Sequence, residues 1–420
     1  MVAILMVTLA SAWSIGASPG PPPAQGPPMG WMSWQSFRCE LRCDVVGWEE
    51  CISAHLFKTQ ADILADEGYL QAGYNTIHID DCWQEDQRSS VGNVLVPNAT
   101  RFPQGIAGLA DYMHSKGIRL GLYTDIGVLT CGGYPGSRGY YDVDAKTFAS
   151  WGVDYLKVDG CYERSISAFD DDYPSLGESL RATGRPIQYS CGWPAYLGNN
   201  ETAKPYDEIV QSPCVTWRNW EDVLDRWSRL LAIVNHWGEY GEFLSKAAGR
   251  GKYNDPDMLI VGTPGITLDQ QKLQLAVWSI VNAPLIMGND LRAVPKDSKA
   301  LLLNADMIAI NQDLHGVAGW RIKGSETSEH EVWARPLSGG DIAIALVNKL
   351  GETEQTLEFK FDDVAGAFLS VLGRGGALAT RCADVRDVFE KRSLGKKCDK
   401  VEMRVGPHGA ALLRLSSIKL

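Results

Sequence analysis

Apolar and polar positions follow two different rhythms along this chain, and the change of rhythm divides it. From about residue 28 to residue 312, short apolar runs, three of them ending in a carboxylate, alternate with longer stretches whose apolar residues recur every three or four positions. The short runs read as buried strands: Met29–Trp34, Thr76–Asp81, Arg119–Asp125, Tyr155–Asp159, Pro186–Ser190, Cys214–Trp217, Met258–Val261 and Ala283–Met287. The longer stretches read as helices. Leu56, Ile63 and Leu64 share one stripe of Ile52–Glu67, with Gly68 placed to end it. Leu109–Lys116 is stopped by Gly117, and Ala145–Trp151 leads into the fourth strand. Val223, Trp227, Leu230, Leu231 and Val234 mark a helix after Trp220, and Gln270 completes a capping box with Thr267. Eight strands with intervening helices, spread over about 290 residues, predict an α/β chain folded as a (β/α)8 barrel. A doubly wound sheet shares this beat, but no glycine-rich phosphate loop follows the first strand.

After Gln312 the pattern shortens. Glu331–Arg335, a Gly339-Gly340-Asp341 turn, Ile342–Val347, Thr356–Phe361 and Gly409–Leu415 alternate with period two and carry no helical stretch between them. This predicts a C-terminal antiparallel β-sandwich over residues 314–420, after a barrel spanning 18–313. The sandwich shows no cluster of reactive side chains; covering barrel surface or supporting a dimer is its expected role. Residues 1–17 are apolar with Ser14, Gly16 and Ala17 at their end, the form of a secretion signal rather than a membrane anchor.

Composition narrows the partners. With 45% hydrophobic and 22% charged residues over 420 positions, the chain can fill two cores. A net charge of −11 argues against nucleic acid or anionic membrane as partner and suits an acidic compartment. Ten cysteines behind a secretion signal imply disulfides, with Cys382 and Cys398 of the sandwich expected to pair. Zinc is the competing use of cysteine, but there is no CxxC pair and no metal spacing among the seven histidines, so neither metal nor cofactor is expected. Asn98-Ala99-Thr100 and Asn200-Glu201-Thr202 are glycosylation sequons, expected at the surface.

The chemistry gathers at the strand ends. Barrel enzymes build their sites there, so Asp80, Asp81, Asp125, Asp159 and, after Trp217-Arg218-Asn219-Trp220-Glu221, Asp222 are expected to converge. Lys157 shares a strand face with Asp159 and can hold a substrate hydroxyl beside it. Each has a plain structural reading too: Asp159-Gly160 as a turn, Asp80-Asp81 as a solvated loop, Asp222 as a carboxylate at a helix N-terminus. Carboxylates with an arginine, a lysine and aromatics, without a histidine base or serine elbow, point to glycoside hydrolysis, in which two carboxyls flank an oxocarbenium-like transition state. A Schiff-base lyase using Lys157 is the rival chemistry, disfavoured because Asp159 keeps that lysine charged. A silent galactose-binding protein is the non-catalytic rival, and it would need Asp159 or Asp222 replaced.

Met29-Gly30-Trp31, Ile79-Asp80-Asp81-Cys82-Trp83, Leu122-Tyr123-Thr124-Asp125, Tyr155–Cys161, Trp217-Arg218-Asn219 and Asn254-Asp255-Pro256-Asp257-Met258, in that order, resemble the motifs of glycoside hydrolase family 27. That family holds lysosomal α-galactosidase and α-N-acetylgalactosaminidase. The resemblance implies a retaining mechanism with Asp159 as nucleophile and Asp222 as acid/base. It implies that Asp80 and Asp81 bind the O4 and O6 side of the sugar, that Lys157, Arg218 and Asp257 bind other hydroxyls, and that Trp34 and Tyr123 form walls. It further implies the pairs Cys39–Cys82, Cys43–Cys51, Cys131–Cys161 and Cys191–Cys214, a homodimer, and glycan substrates on oligosaccharides, glycolipids or glycoproteins in a lysosome or outside the cell.

One stretch bears on which sugar. In Ser190–Tyr196, Gly192 and Ala195 stand where galactose-selective members resemble this loop with glutamate and leucine, and where members accepting N-acetylgalactosamine carry serine and alanine. Small residues leave room for a 2-acetamido group, with Tyr196 and Arg218 able to contact it. Gly192 departs from the serine of the second pattern. The expectation is removal of terminal α-linked N-acetylgalactosamine, with some α-galactosidase activity.

Overall fold

The computed structural model describes residues 26–368 and 382–417. Residues 1–17, expected to be a secretion signal, lie outside the described residues. Eight parallel strands form one sheet: β1 (Met29–Met32), β2 (Thr76–His78), β3 (Arg119–Asp125), β4 (Tyr155–Asp159), β5 (Gln188–Cys191), β6 (Thr216–Arg218), β7 (Tyr253–Asp255) and β8 (Leu285–Met287). The hydrogen-bonded order runs β7-β6-β5-β4-β3-β2-β1-β8, each strand beside its neighbour in sequence, as a (β/α)8 barrel requires.

The barrel closes through a broken strand. The seventh strand, expected at Met258–Val261, instead lies at Tyr253–Asp255, paired with β6. Pro256 has no N–H to continue the ladder, and Asp257 turns to a φ of 87°. The expected segment still serves the barrel, because Leu259 N donates to Ile286 O at 2.8 Å and Gly288 N donates to Leu259 O at 2.8 Å. The first half of the break therefore pairs with β6 and the second half with β8.

Helices cover the outside: Ala54–Asp66, Gly105–Ser115, Tyr141–Ser150, Phe169–Ala182, Trp227–Ala247 and Leu268–Ile280. Ser53 Oγ caps the first by accepting from Leu56 N at 3.3 Å, and Thr267 with Gln270 forms the capping box on the last. Several boundaries move: the second strand stops at His78, short of Asp80 and Asp81, and the helix expected from Leu109 starts at Gly105. The first strand stops at Met32, and Trp34 opens a four-residue helix. The helix expected after Trp220 begins only at Trp227, following an extended Arg226, so Val223 lies outside it and Asp222 is not at its N-terminus.

The C-terminal region is an antiparallel β-sandwich. Six strands, among them His330–Pro336, Ile342–Asn348 and Ala410–Ser416, form one sheet, and Gln355–Lys360 pairs with Lys400–Val405. Ile344, Leu346, Phe359, Val401 and Leu413 fill a core of their own. One helix, Phe361–Phe368, appears where none was expected. Phe361, Val364 and Phe368 are its buried residues, spaced to share one face. The sandwich covers the helix Leu268–Ile280, which is buried on nearly every side. Arg335, fully buried, joins the two units by donating to the carbonyls of Ser279 (3.0 Å) and Ile310 (2.8 Å).

Candidate active site

The C-terminal ends of β3 and β4 stand side by side, with Asp125 opposite Asp159. Asp159 ends β4, and its side chain is 20% exposed. Lys157, two residues earlier on the same face, donates to Asp80 Oδ2 at 2.8 Å and lies 4.0 Å from Asp159 Oδ2. Its Nζ also stands 5.2 Å from the centre of the Tyr123 ring. One ammonium thus faces two carboxylates and an aromatic wall. Burial alone would lower the Lys157 pKa, but Asp80 and Asp159 outweigh it and keep the amine charged.

Asp222 reaches the same place from a loop. Asp159, Ala195, Tyr196, Arg218, Trp220 and Asp222 line one cavity of about 510 Å3. Arg218 ends β6, and its Nη2 donates to Asp222 Oδ1 at 3.0 Å and to Trp220 O at 3.1 Å, and lies 3.3 Å from Asp257 Oδ2. Asp257 is held in turn by the backbone N–H of Val223 (2.8 Å) and of Met258 (2.7 Å). The break in the seventh strand is what aims Asp257 at the arginine.

Burial and charge sort the carboxyls. Burial pushes Asp159 above the ordinary aspartate range, and Lys157 opposes it. Burial also raises Asp125, to about 9 with Asp159 adding to the effect, while Asp81 and Asp255 rise to about 6. Asp222 differs. The cavity wall raises its pKa, but the side chain is 69% exposed, and Arg218, with Lys157 behind it, holds the group below the usual range.

Asp81 accepts from Cys82 N at 2.6 Å and Gly132 N at 2.7 Å, and Asp80 accepts from Asp81 N at 2.8 Å. The pair is a bonded element of the site rather than a solvated loop, and both residues are buried. Trp34 stands outside the cavity that Asp159 and Asp222 share; Arg38, whose charge reaches Asp222, lies 5.3 Å over its ring. Gly192 lies behind Asp159. A Cβ there would come within 3.1 Å of Asp159 Oδ1, of the Tyr173 hydroxyl and of Val158 O.

Five disulfides are present: Cys39–Cys82, Cys43–Cys51, Cys131–Cys161, Cys191–Cys214 and Cys382–Cys398. Cys131–Cys161 ties the loops after β3 and β4, and Asp125 joins the same two loops by accepting from Gly127 N (2.7 Å) and Cys161 N (3.0 Å). Asp125 with Cys131 and Cys161 has metal-like spacing, but joined sulfurs offer no thiolate to an ion. The sequons are reached by solvent, Asn200 being exposed and Asn98 half-buried.

Sequence reasoning gave no role to Trp220, Glu221, Leu224 or Arg229, which also line the cavity. They follow the Trp217-Arg218-Asn219 motif directly, and that adjacency was the available signal. Trp220 is held by a buried network that no local pattern announces. His236 stacks on its ring at 4.3 Å, and Glu201 accepts from His236 Nε2 at 2.7 Å and from Lys204 Nζ at 2.8 Å.

Residues 26–313 match the family model for α-galactosidase A, and residues 327–415 match that for the α-galactosidase C-terminal β-sandwich domain. The chain belongs to glycoside hydrolase family 27, the α-galactosidases. Family members similar to it include human α-galactosidase A, 41% identical over 94% of this chain and 89% of that protein. Chicken α-N-acetylgalactosaminidase is 40% identical over 93% of each. Among solved members of family 27, α-galactosidase I of Mortierella vinacea superposes with a TM-score of 0.82 at 30% identity, over 93% of this chain and 97% of that one. As a member of this family the chain is a glycoside hydrolase. Its disulfides fit the secretory pathway, and none of the described helices is long and apolar enough to cross a membrane.

Proposed function

We propose that this chain is a retaining exo-glycosidase that removes terminal α-linked N-acetylgalactosamine, and some α-galactose, from oligosaccharides, glycolipids or glycoproteins. The observation that carries the reading is the single cavity lined by Asp159, Asp222, Ala195 and Tyr196. In this reading Asp159 attacks the anomeric carbon and Asp222 protonates the leaving oxygen. Asp222 then takes a proton from the water that frees the sugar. Asp80, Asp81, Lys157, Arg218 and Asp257 hold hydroxyls, and Tyr123 walls the ring, with Trp34 beyond the cavity toward Arg38.

In the free protein the two carboxyls are ordered the wrong way for this chemistry, Asp159 raised and Asp222 lowered. The sugar reverses the order for a physical reason. Asp222 is 69% exposed and Asp159 20%, so a ring filling the cavity strips far more water from Asp222 and raises it more. The alkaline limb of kcat, set by the complex, should therefore lie at higher pH than that of kcat/KM, set by the free enzyme. Coincident limbs would remove this account. The covalent step is tested by a 2-deoxy-2-fluoro glycosyl fluoride followed by peptide mass mapping, with the adduct expected on Asp159; an adduct elsewhere, or none with turnover intact, overturns the assignment.

The preference rests on Ala195 and Tyr196. α-Galactosidase proper is the second reading, favoured by the place of Gly192 behind Asp159, where a missing side chain opens less room for an acetamido group. Paired aryl glycosides decide between them: kcat/KM about tenfold higher for the α-galactoside would establish the second. A homodimer and a lysosomal or extracellular location belong to the same proposal, checked by sedimentation and by localisation of the full chain.

A further inference from the structure

A second cavity, of about 520 Å3, opens between the loop closed by Cys43–Cys51 and the loop that follows β2. Its wall carries the asparagine and the threonine of the first sequon, Asn98 and Thr100, beside Trp48, Tyr134, Glu85 and Asp86. Trp48 is 44% exposed, yet it stands in a loop tied by a disulfide, and its carbonyl accepts from Ser53 Oγ at 2.6 Å. A large apolar ring thus faces water from a loop whose backbone is fixed. The sequon is equally fixed. Asn98 N donates to Trp83 O at 3.2 Å, Ala99 N to Glu85 Oε1 at 3.1 Å, and Arg101 N to Asn98 Oδ1 at 3.0 Å. Among the described residues Asn98 Nδ2, the atom that glycosylation uses, makes no hydrogen bond. The same wall includes Gln84, only 1% exposed, whose Oε1 has no partner among the described residues.

We propose that this cavity seats the first N-acetylglucosamine of an N-linked glycan on Asn98, with the apolar face of the sugar against Trp48. Pyranose rings carry C–H groups on one face, which suit an indole, and hydroxyls at the edge, which suit acceptors. Glu85 and Asp86 accept hydroxyl hydrogens, and with Asp44 they outnumber Arg101 on the wall, so the wall suits a neutral sugar better than an anion. Attachment uses a lipid diphosphate-linked oligosaccharide. The Nδ2–C1 bond forms, the bond from C1 to the diphosphate oxygen breaks, Nδ2 loses one proton, and the lipid diphosphate leaves. The inference rests on passage through the secretory pathway, and Asn200, exposed on another loop, reports on that independently.

The full chain, secreted from a eukaryotic cell line, is treated under native conditions with an amidase that cleaves N-glycans, and release at each sequon is followed by peptide mass spectrometry. The glycan on Asn98 should leave about tenfold more slowly than that on Asn200, the scale of one aromatic stacking contact. Trp48→Ala should bring the two rates to within about threefold, and Trp48→Phe should restore most of the protection. Trp48 is half exposed, so these variants are expected to fold, with unchanged turnover of an aryl glycoside as the check. Equal rates at both sequons in the natural chain, or slow release that survives Trp48→Ala, overturn the seat. A glycan on Asn200 with Asn98 bare overturns it while leaving secretion intact; both bare overturns secretion and the seat together.

Discussion

Lys157 is the residue on which the charge balance of the site turns. It faces Asp80 at 2.8 Å and Asp159 at 4.0 Å, while burial pushes Asp159 toward its neutral form. Without the ammonium that push goes unopposed. Lys157→Met should therefore move the alkaline limb of kcat/KM upward by about one unit, because in the free enzyme Asp159 lies above Asp222 and the higher of the two carboxyls sets that limb. An unshifted limb, measured with an aryl glycoside, would mean that another group sets it. Ala195 governs size rather than charge. Ala195→Leu should lower kcat/KM for the α-N-acetylgalactosaminide by about tenfold or more, and alter that for the α-galactoside by less than about threefold. Equal losses on both substrates would show a general distortion instead. The alternation of the β4 run revealed Lys157 and Asp159, whereas Trp220 stayed hidden because it lies in a loop and its partner His236 sits on the helix Trp227–Ala247.

At the level of elements, the loops after β3 and β4 work as one piece. Asp125 accepts from the backbone of both, and Cys131–Cys161 links residues 30 apart. Replacing both cysteines by serine should cost about 3 to 4 kcal/mol of stability, from the entropy returned to the unfolded chain. It should also lower kcat, since Asp159, the proposed nucleophile, ends the strand that runs into one of these loops. Denaturant melts and initial rates check the two parts, and unchanged kcat would mean that Asp125 suffices to hold the loops. The broken seventh strand shows why element boundaries were less legible than elements. Met258–Val261 has a strand's composition, but Pro256 and Asp257 divide the pairing between β6 and β8. The loop that carries Asp222 departs from its expected helix for a related reason. Val223 fits the apolar stripe of the next helix, yet its N–H is taken by Asp257, a partner no local pattern supplies.

Across the whole molecule, the buried carboxyls set how stability depends on pH. Asp125, Asp81 and Asp255 have folded pKa values of about 9, 6 and 6, all above the unfolded value of 3.8. Groups raised in this way bind protons more tightly in the folded chain, so stability falls as pH rises from about 4 toward each folded value. His78, buried and lowered to about 3, works in the opposite sense, losing stability as pH falls below 6.5. The three carboxyls outweigh one histidine, and Asp125 alone spans the interval to about 9. The melting temperature should therefore be roughly 3 °C or more higher at about pH 5 than at about pH 7.5. Scanning calorimetry checks this, and a higher value at neutral pH would show that these carboxyls are ionised in the folded chain.

Periodicity was enough to announce eight strands in sequence order, a barrel, a sandwich after it, and carboxylates at the strand ends, because each follows from the spacing of neighbours along the chain. The capping box at Thr267 and the strand that ends at Asp159 are of this local kind. Closure of the barrel through Leu259, the arginine shared by Asp222 and Asp257, and the ring of Trp220 stacked on His236 are of another kind. These arise only when segments far apart in the chain meet, and burial and charge act through space rather than along the backbone. The same holds for Asp159 and Asp222: their identities are written in order, but their meeting in one cavity belongs to the fold.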